Sequence, residues 1–127
     1  MFAAKNFFDL RDFTHAAIFA ADAPVWQGLD ALKPYMDGYD YPVLDRSLLP
    51  NGRPLPETVI FHDGRWRSAS GLTIEYGDTN KGGLAVFDGD CRLEGASVLM
   101  AGTVLLGDRF AFGRGVFVES QAMLKGQ

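Results

Sequence analysis

The segment GDTNKGG combines glycines with a threonine and a lysine, residue types that could hold an anion. Its candidate binding residues are Gly77, Thr79, Lys81 and Gly82, because backbone N–H groups of glycine-rich loops and a lysine ammonium are frequent phosphate partners. A Walker phosphate loop places its lysine after a glycine and before Ser or Thr, whereas here Lys81 precedes Gly82 and Gly83. The sequence therefore favours a surface loop between strands, with a small anion or nucleotide site as the alternative.

Side chains for metal binding or acid–base catalysis are scattered. Asp88 and Asp90 resemble the start of a calcium loop, but the remaining ligands and the distal bidentate Glu are missing, so we predict a turn and no metal site. His15 and His62 have no second His, Cys or paired carboxylate at ligand spacing. We interpret His15 as structural or surface-lying and His62 as an exposed hairpin residue. No catalytic residue can be named.

Composition limits the partners and the compartment. The chain has 127 residues and a net charge of -4, with no Lys/Arg cluster, which argues against a nucleic-acid surface. The apolar run from Val98 to Leu106 is too short and glycine-rich to span a membrane. The single Cys91 excludes an internal disulfide and is expected to be a small buried hydrophobe. We expect a cytoplasmic, soluble protein with no nucleic-acid or membrane partner.

The N-terminal third predicts one helix and a loop. Asp22 is placed as an N-cap and Pro24 in the first helical turn, while Pro34 limits or kinks the helix end. Residues 41–57 hold four of the six prolines and an Asn-Gly pair, which predicts a loop over the surface. The apolar face predicted for the helix consists of Val25, Leu29, Leu32 and Tyr35 or Met36.

From residue 58 the pattern changes to short strands. Asp63-Gly64 lies between two apolar-bearing arms, a strong hairpin signal, and Asp88-Gly89 repeats it. A further strand between the two turns is predicted from alternating apolar residues, so the pattern of the middle third predicts an antiparallel β meander. The alternating residues are Leu72, Ile74 and Tyr76.

A six-residue period follows from Met100. Internal repetition at six residues is typical of a β-helix, in which each hexad supplies a short strand and a corner. An ordinary meander with coincidental spacing remains the alternative. The residues predicted to face inward are the repeated first positions, Met100, Leu106, Phe112, Val118 and Leu124, and the fifth positions, Val104, Phe110, Val116 and Ala122.

These hexads resemble the hexapeptide-repeat family, the left-handed parallel β-helix acyltransferases of sugars and sugar nucleotides. Leu106-Gly107, Phe112-Gly113 and Val118-Glu119 match its first residue pair, and the small position is matched by Val104, Val116 and Ala122. The preceding layout is similar to relatives of the bifunctional N-acetylglucosamine-1-phosphate uridyltransferase. The nucleotide-binding signature of the uridyltransferase half is missing, which excludes a complete nucleotidyltransferase.

The resemblance implies a mainly β fold: a small helical segment and an antiparallel meander leading into a truncated left-handed parallel β-helix. The implied domains are 1–95, the helical and meander module, and 96–127, the start of the β-helix. A full-length relative is expected to transfer an acyl group to a sugar or sugar nucleotide from acetyl-coenzyme A or another acyl-coenzyme A. Because the family's catalytic histidine lies on later coils, we expect this chain to hold no cofactor and to be inactive by itself.

The repeat stops at Gln127 after about one and a half coils. A repeat needs stacked neighbours and a cap, so we expect either that a longer protein continues it or that a second copy covers the last coil. Self-association through the β-helix segment, giving a homo-oligomer, is therefore predicted. The alternative to a transferase is a structural module that docks through its uncapped coil.

Overall fold

The computed structural model describes residues 1–77 and 82–126. It divides into two compact units, Met1–Asp40 and Tyr41–Gln127. The first contains two 3-10 helices (Ala4–Asn6 and Ala16–Ile18) and the helix α1 (Gln27–Gly38). The strands that the described residues form all lie in the second unit: β1 (Val59–His62), β2 (Arg65–Ser68), β3 (Thr73–Glu75), β4 (Ala85–Asp88), β5 (Cys91–Arg92), β6 (Ser97–Leu99), β7 (Val104–Leu106), β8 (Phe117–Val118) and β9 (Met123–Lys125).

The described part of the chain is therefore mainly β, with small sheets and one short α-helix, which confirms the coarse fold prediction. Within the two described stretches, no helix has both the length and the apolar character needed to cross a membrane. The predicted division between residues 95 and 96 falls inside the second compact unit. That division stays a prediction.

Helix α1 begins later than the sequence predicted. Trp26, not Asp22, occupies the N-cap position, and it makes no side-chain capping hydrogen bond. The reason lies just before the helix, where Pro24 forms a β-bridge with Ala3 and so holds the chain outside the helical conformation. Pro34 lies inside the helix, which continues to residue 38.

The first unit buries little apolar surface of its own. Its buried residues are Ala3, Ala4 and Gly28. The predicted apolar face of α1 is divided: Leu29 and Leu32 are 75% and 39% exposed, whereas the other predicted positions are half-buried, namely Val25, Tyr35 and Met36. Large apolar side chains that are exposed in this unit are Met1, Phe2, Phe7, Phe8, Phe13, Trp26, Leu29 and Leu32.

The predicted hairpins form in the second unit. Asp63 and Gly64 both have positive φ (50° and 74°), the backbone that a two-residue type I′ turn between β1 and β2 requires. The second turn lies one residue later than predicted. Asp88 still pairs with Cys91 as the last residue of β4, so the turn begins at Gly89.

The meander is interrupted after its first hairpin. Strand β1 pairs with β6 on its other side, which gives the mixed sheet order β2-β1-β6-β8, with antiparallel and parallel neighbours. Strands β3, β4 and β5 form a separate antiparallel sheet. A continuous meander was the wrong prediction, because β1 finds its second neighbour far along the chain.

Two parallel strand pairs stack the last part of the chain on itself. Val98 faces Phe117 and Val104 faces Met123, and this offset of 19 residues is the same in both pairs. We call residues 95–107 rung 1 and residues 108–126 rung 2. Rung 2 therefore follows rung 1 in parallel along two different sheets.

Aliphatic residues form columns between the layers. Val59 of β1 faces Leu99 of rung 1, which faces Val118 of rung 2, and all three belong to one hydrophobic cluster. A second column runs from Leu105 to Leu124. The interior is thus shared by the preceding segment and both rungs.

The inward positions correct the predicted repeat frame. Leu99 and Leu105 are fully buried, whereas the predicted first positions Met100 and Leu106 are only half-buried. Phe112 of rung 2 does pack on the same cluster, as the hexads predicted. The frame therefore slips by one residue between the rungs, because Phe112 follows the inward Leu105 by seven positions, not six.

The opposite face of the β2-β1-β6-β8 sheet carries a second cluster. Ile60 and Val98 face each other across β1 and β6 and are fully buried, together with Val86 of β4. Phe117 of β8 packs on this cluster, and its ring meets that of Tyr76 at 5.1 Å. The β3-β4-β5 sheet thus covers this face and fixes the sheet from which rung 2 extends.

Candidate docking surface

One edge of rung 1 is covered by the chain that precedes it. The N–H of Gly52 donates to the Leu105 carbonyl (2.7 Å), and the N–H of Leu55 donates to the Thr103 carbonyl (2.8 Å). The N–H of Gly102 in turn donates to the Leu55 carbonyl (2.9 Å). Together with β1 on β6, these contacts close the N-terminal edge of the stack.

The covering segment, residues 41–57, also fills the interior. Leu44, Leu49 and Leu55 are 7%, 0% and 2% exposed and belong to the same cluster as the inward residues of rung 1. This segment was predicted as a surface loop, and for these three leucines that is wrong. The prolines and the Asn-Gly pair do exclude regular structure, but they leave the leucines free to seal the rung.

Arg46 fixes the covering segment to the connection between the rungs. Its guanidinium donates to the carbonyls of Leu49 (3.0 Å) and Gly107 (2.8 Å) and pairs with the Asp108 carboxylate. The side chain is 35% exposed, so much of it lies against protein. The sequence analysis did not identify this residue, because none of its contacts is local except the one to Leu49.

Buried hydroxyl groups join rung 1 to rung 2. The Ser97 hydroxyl donates to the Gly113 carbonyl (2.7 Å) and accepts from the Val116 N–H (2.9 Å). The Thr103 hydroxyl donates to the Glu119 carbonyl (3.3 Å). Both Ser97 and Thr103 are fully buried, and small polar residues inside an apolar strand pattern were the signal that could have identified them.

The far edge of rung 2 presents backbone groups outward. The Ala122 carbonyl accepts from the Val104 N–H (2.9 Å), and the Gly126 N–H donates to the Leu106 carbonyl (2.7 Å). Successive residues of a strand direct their backbone groups to opposite sides, so those of Met123 and Lys125 face away from rung 1. Within residues 1–77 and 82–126, no strand pairs with this side of β8 or β9.

The interior is less well covered at this edge. Val118 and Leu124 are half-buried, whereas the residues they face in rung 1, Leu99 and Leu105, are fully buried. Met123 is 66% exposed. A half-buried aliphatic interior bordered by free backbone donors and acceptors is the arrangement to which a further strand layer can add.

The predicted anion loop is described only at its two ends. Gly77 and Gly82 have positive φ (65° and 93°), and a Cβ built on Gly77 would lie 2.2 Å from the Gly82 carbonyl oxygen. Thr79 and Lys81 lie outside the described residues. The backbone approach between the two glycines explains why position 77 requires glycine, and anion binding stays a prediction.

The histidines lie apart from each other. His15 Nδ1 is 2.9 Å from the Tyr35 hydroxyl, and the ring meets that of Tyr39 at 5.2 Å, which agrees with a structural role. His62 is the last residue of β1, and its side chain is only 22% exposed, so the predicted exposed position is wrong. It lies opposite Arg65 in the hairpin register, and its Nδ1 is 3.7 Å from the Asp63 carboxylate, so neighbouring residues of the hairpin surround it.

Cys91 is exposed, and the prediction of a buried residue is wrong. It is the first residue of the two-residue strand β5, which is an edge strand of its sheet, so the thiol stays exposed.

Asp88 at the end of β4 lies 3.5 Å from the guanidinium of Arg67. Among the residues that the structure describes, no group of three or more His, Cys, Asp or Glu side chains is arranged to hold a metal ion.

A separate apolar groove lies within the first unit. It has a volume of about 340 Å³ and is lined by Phe8, Asp9, Leu10, Phe13 and Phe19. Hydrogen bonds from Arg11 lower the pKa of the Asp9 carboxyl and keep it ionised at the rim. The groove combines aromatic walls with an already paired carboxylate, which leaves it few polar groups to orient a ligand.

Comparisons of the chain with protein-family models, with curated protein sequences and with solved structures found no match. A functional assignment therefore depends on the geometry of the two rungs and of the segment that covers them.

Proposed function

We propose that residues 41–126 form the N-terminal cap and first rungs of a left-handed parallel β-helix. In this role the chain is a structural docking module. The covering segment closes one end of the helix, and rung 2 offers its free edge to a further β-helix layer. The observation that carries the proposal is the asymmetry of the stack: the preceding chain covers the N-terminal edge of rung 1, while β8 and β9 are edge strands among the residues that the structure describes.

The rung length supports a helix of the hexapeptide type. A rung of three six-residue sides contains about 18 residues, and the offset of 19 residues between Val98 and Phe117 equals that length plus one. The extra residue falls between Leu105 and Phe112, where the frame slips. The inward residues otherwise keep the six-residue period, from Leu99 to Leu105 and from Phe112 through Val118 to Leu124.

The capping role can be tested by extending the helix. Three regular hexapeptide rungs, which lack a cap of their own, are fused after residue 126. We expect the fusion to be monodisperse, and its rungs to show slow hydrogen exchange, because the interior column is continuous from the covering segment onward. A crystal structure of this fusion gives the handedness directly.

The matched control changes one side chain of the covering segment. Leu49→Asp buries an unpaired carboxylate at a fully buried position and should cost about 3 kcal/mol or more, so the added rungs lose their protection. Val43→Asp makes the same change at a position that is 92% exposed and should leave the rungs protected. Equal protection of the rungs in the Leu49→Asp and intact fusions would contradict the capping role.

A second proposal concerns longer relatives of the chain. For such longer relatives, the same rung length supports assignment to the hexapeptide-repeat acyltransferases. Their reaction would be the transfer of an acyl group from acetyl-coenzyme A or another acyl-coenzyme A to a sugar or sugar nucleotide. Neither rung contains a histidine, since His15 and His62 both precede rung 1 in the chain. This chain is therefore expected to be inactive alone, and acetyl transfer to an amino sugar by residues 1–127 would refute that expectation.

A further inference from the structure

The free edge of rung 2 has a polarity that restricts which strands can add to it. Because the N-terminal edge of rung 1 is already occupied by the covering segment, a second copy cannot stack head to tail on rung 2. The two free edges can meet only face to face, about a two-fold axis. Such an interface is isologous and closes after two copies, so it does not form fibres.

Backbone geometry selects the register of that contact. In β9 the residues with outward backbone groups are Met123 and Lys125, and Leu124 bonds inward to rung 1. A hydrogen-bonded antiparallel pair joins two residues whose backbone groups both face outward, and the register with Met123 opposite Lys125 of the second copy is the one that pairs both outward residues of each strand. This register places Leu124 opposite its own counterpart, in the closely spaced non-hydrogen-bonded position.

Charge is compatible with this register. The two copies of Lys125 are not opposite each other, because each faces Met123, whose exposed apolar chain can pack on the lysine stem. A rung of the proposed helix has three sides: the β9 side, the β8 side and the side that precedes β8. A two-fold axis through the β9 side therefore places the β8 side of one copy over the side that precedes β8 in the other copy. It therefore turns Glu119 at the end of β8 toward the opposing corner at which rung 2 begins, which carries the exposed Arg109, whereas the Arg114 side chain lies back over Gly95 of rung 1.

We propose that rung 2 docks face to face on rung 2 of a second copy, with β9 paired antiparallel about Leu124. The inference rests on the proposed cap, since it needs the closed edge and the open edge that the cap defines. The paired copies place Leu124 on Leu124 and the Val118 side of each copy over the Phe112 side of the other, and so cover the aliphatic interior that is half-buried in one copy.

Sedimentation of the full chain tests the association. We expect a concentration-dependent monomer–dimer equilibrium between about 1 and 200 µM, with no larger species. Met123→Glu places a carboxylate opposite Lys125 twice per dimer and should lower the dissociation constant by about 2- to 30-fold, whereas Met123→Lys should raise it by a similar factor. A monomer across the whole range, or equal effects of the two variants, overturns the proposal.

A proline tests the edge. Lys125→Pro removes an N–H that faces away from rung 1, so the chain keeps its own pairing and loses the dimer. Lys125→Thr removes the same charge and keeps the N–H, so the dimer should persist. Loss of the dimer in both variants would assign the effect to charge and overturn the edge pairing.

A cross-link tests the register. In a Cys91→Ser background, Leu124→Cys should form an intermolecular disulfide at least about tenfold faster than Met123→Cys, because only residue 124 faces its own copy at cross-linking distance. Faster cross-linking at residue 123 overturns the register.

Hydrogen exchange of β6 and β7 distinguishes a failure of the dimer from a failure of the cap. If both strands are protected from exchange in a chain that stays monomeric, only the dimer is rejected. Fast exchange of both strands rejects the cap.

Discussion

Removing one buried hydroxyl should loosen rung 2 from rung 1. The side chain of Ser97 is fully buried and makes two hydrogen bonds to rung 2, one as donor to the Gly113 carbonyl (2.7 Å) and one as acceptor from the Val116 N–H (2.9 Å). Ser97→Ala removes both and leaves a half-buried N–H without its partner. At about 0.5–1.5 kcal/mol for each bond, we expect a loss of about 1–3 kcal/mol.

Ser120 provides the matched control, since it undergoes the same change and also joins the rungs. Its hydroxyl donates a single hydrogen bond to the Ala101 carbonyl (2.7 Å), and the residue is exposed, so water can replace the lost contact. Ser120→Ala should therefore cost about 0.5 kcal/mol or less. The comparison separates burial of the hydrogen bonds from the loss of a hydroxyl group.

Urea unfolding followed by tryptophan fluorescence measures the difference. The Trp66 ring lies 5.4 Å from that of Phe112 and so reports on rung 2, and a Trp26→Phe background removes the signal of the first unit. With a slope of about 2 kcal/mol per molar urea, Ser97→Ala should lower the midpoint by about 0.5–1.5 M. The reasoning is refuted if the two serine variants shift the midpoint equally.

Three further predictions concern the covering segment and the first unit. Leu49→Ala should lower the free energy of urea unfolding by about 2–5 kcal/mol, because Leu49 is fully buried. Val43 is 92% exposed, so Val43→Ala should change it by no more than about 0.5 kcal/mol. Equal losses in the two variants would contradict the sealing role of Leu49. Arg46→Met should cost about 1–3 kcal/mol by removing the carbonyl contacts, and unchanged unfolding would contradict the role of Arg46 in fixing the segment. NMR titration should give Asp9 a pKa below its ordinary value, and Arg11→Gln should raise that pKa. Because the pKa of Asp9 is lowered in the folded state, its pairing with Arg11 stabilises the fold above the ordinary pKa. This stabilisation is lost as the pH falls through the folded-state pKa.

Local signals in the sequence were sufficient for the first hairpin turn, whereas the second was predicted one residue too early. Asp63 and Gly64 adopt positive φ, as their residue types favour, and this sets the β1–β2 register without help from the rest of the chain. The hexads likewise predicted that Phe112, Val118 and Leu124 lie inward. In each case the information is contained within a few residues.

The contacts that define the docking surface are not local. Pairing of β1 with β6 depends on a partner far along the chain, and the sealing role of Leu49 and Leu55 becomes visible only when rung 1 lies beneath them. Proline-rich composition predicts the absence of regular structure, but it does not tell which side chains of that segment are buried. For the same reason Arg46 carried no signal in the sequence.

The slip in the repeat frame leads to a prediction about Phe110. Phe112 follows the inward Leu105 by one position more than the hexads require, and Phe110 lies between them. It is 8% exposed, and its ring stacks on that of Phe112 at 5.9 Å with an angle of 8°. A single aromatic side chain therefore fills the interior at the point where the rung is one residue longer than three regular hexads.

Phe110→Ala should thus cost about 3–5 kcal/mol, the loss typical of a large cavity in a packed core. Phe112→Ala removes the same ring from a half-buried position and should cost less. Both losses are measured by urea unfolding followed by far-ultraviolet circular dichroism, because Phe112 contacts Trp66 and would itself alter the fluorescence. If Phe112→Ala is the more destabilising of the two, Phe110 is not what accommodates the extra residue, and the slip must be absorbed by the backbone of the 107–111 connection.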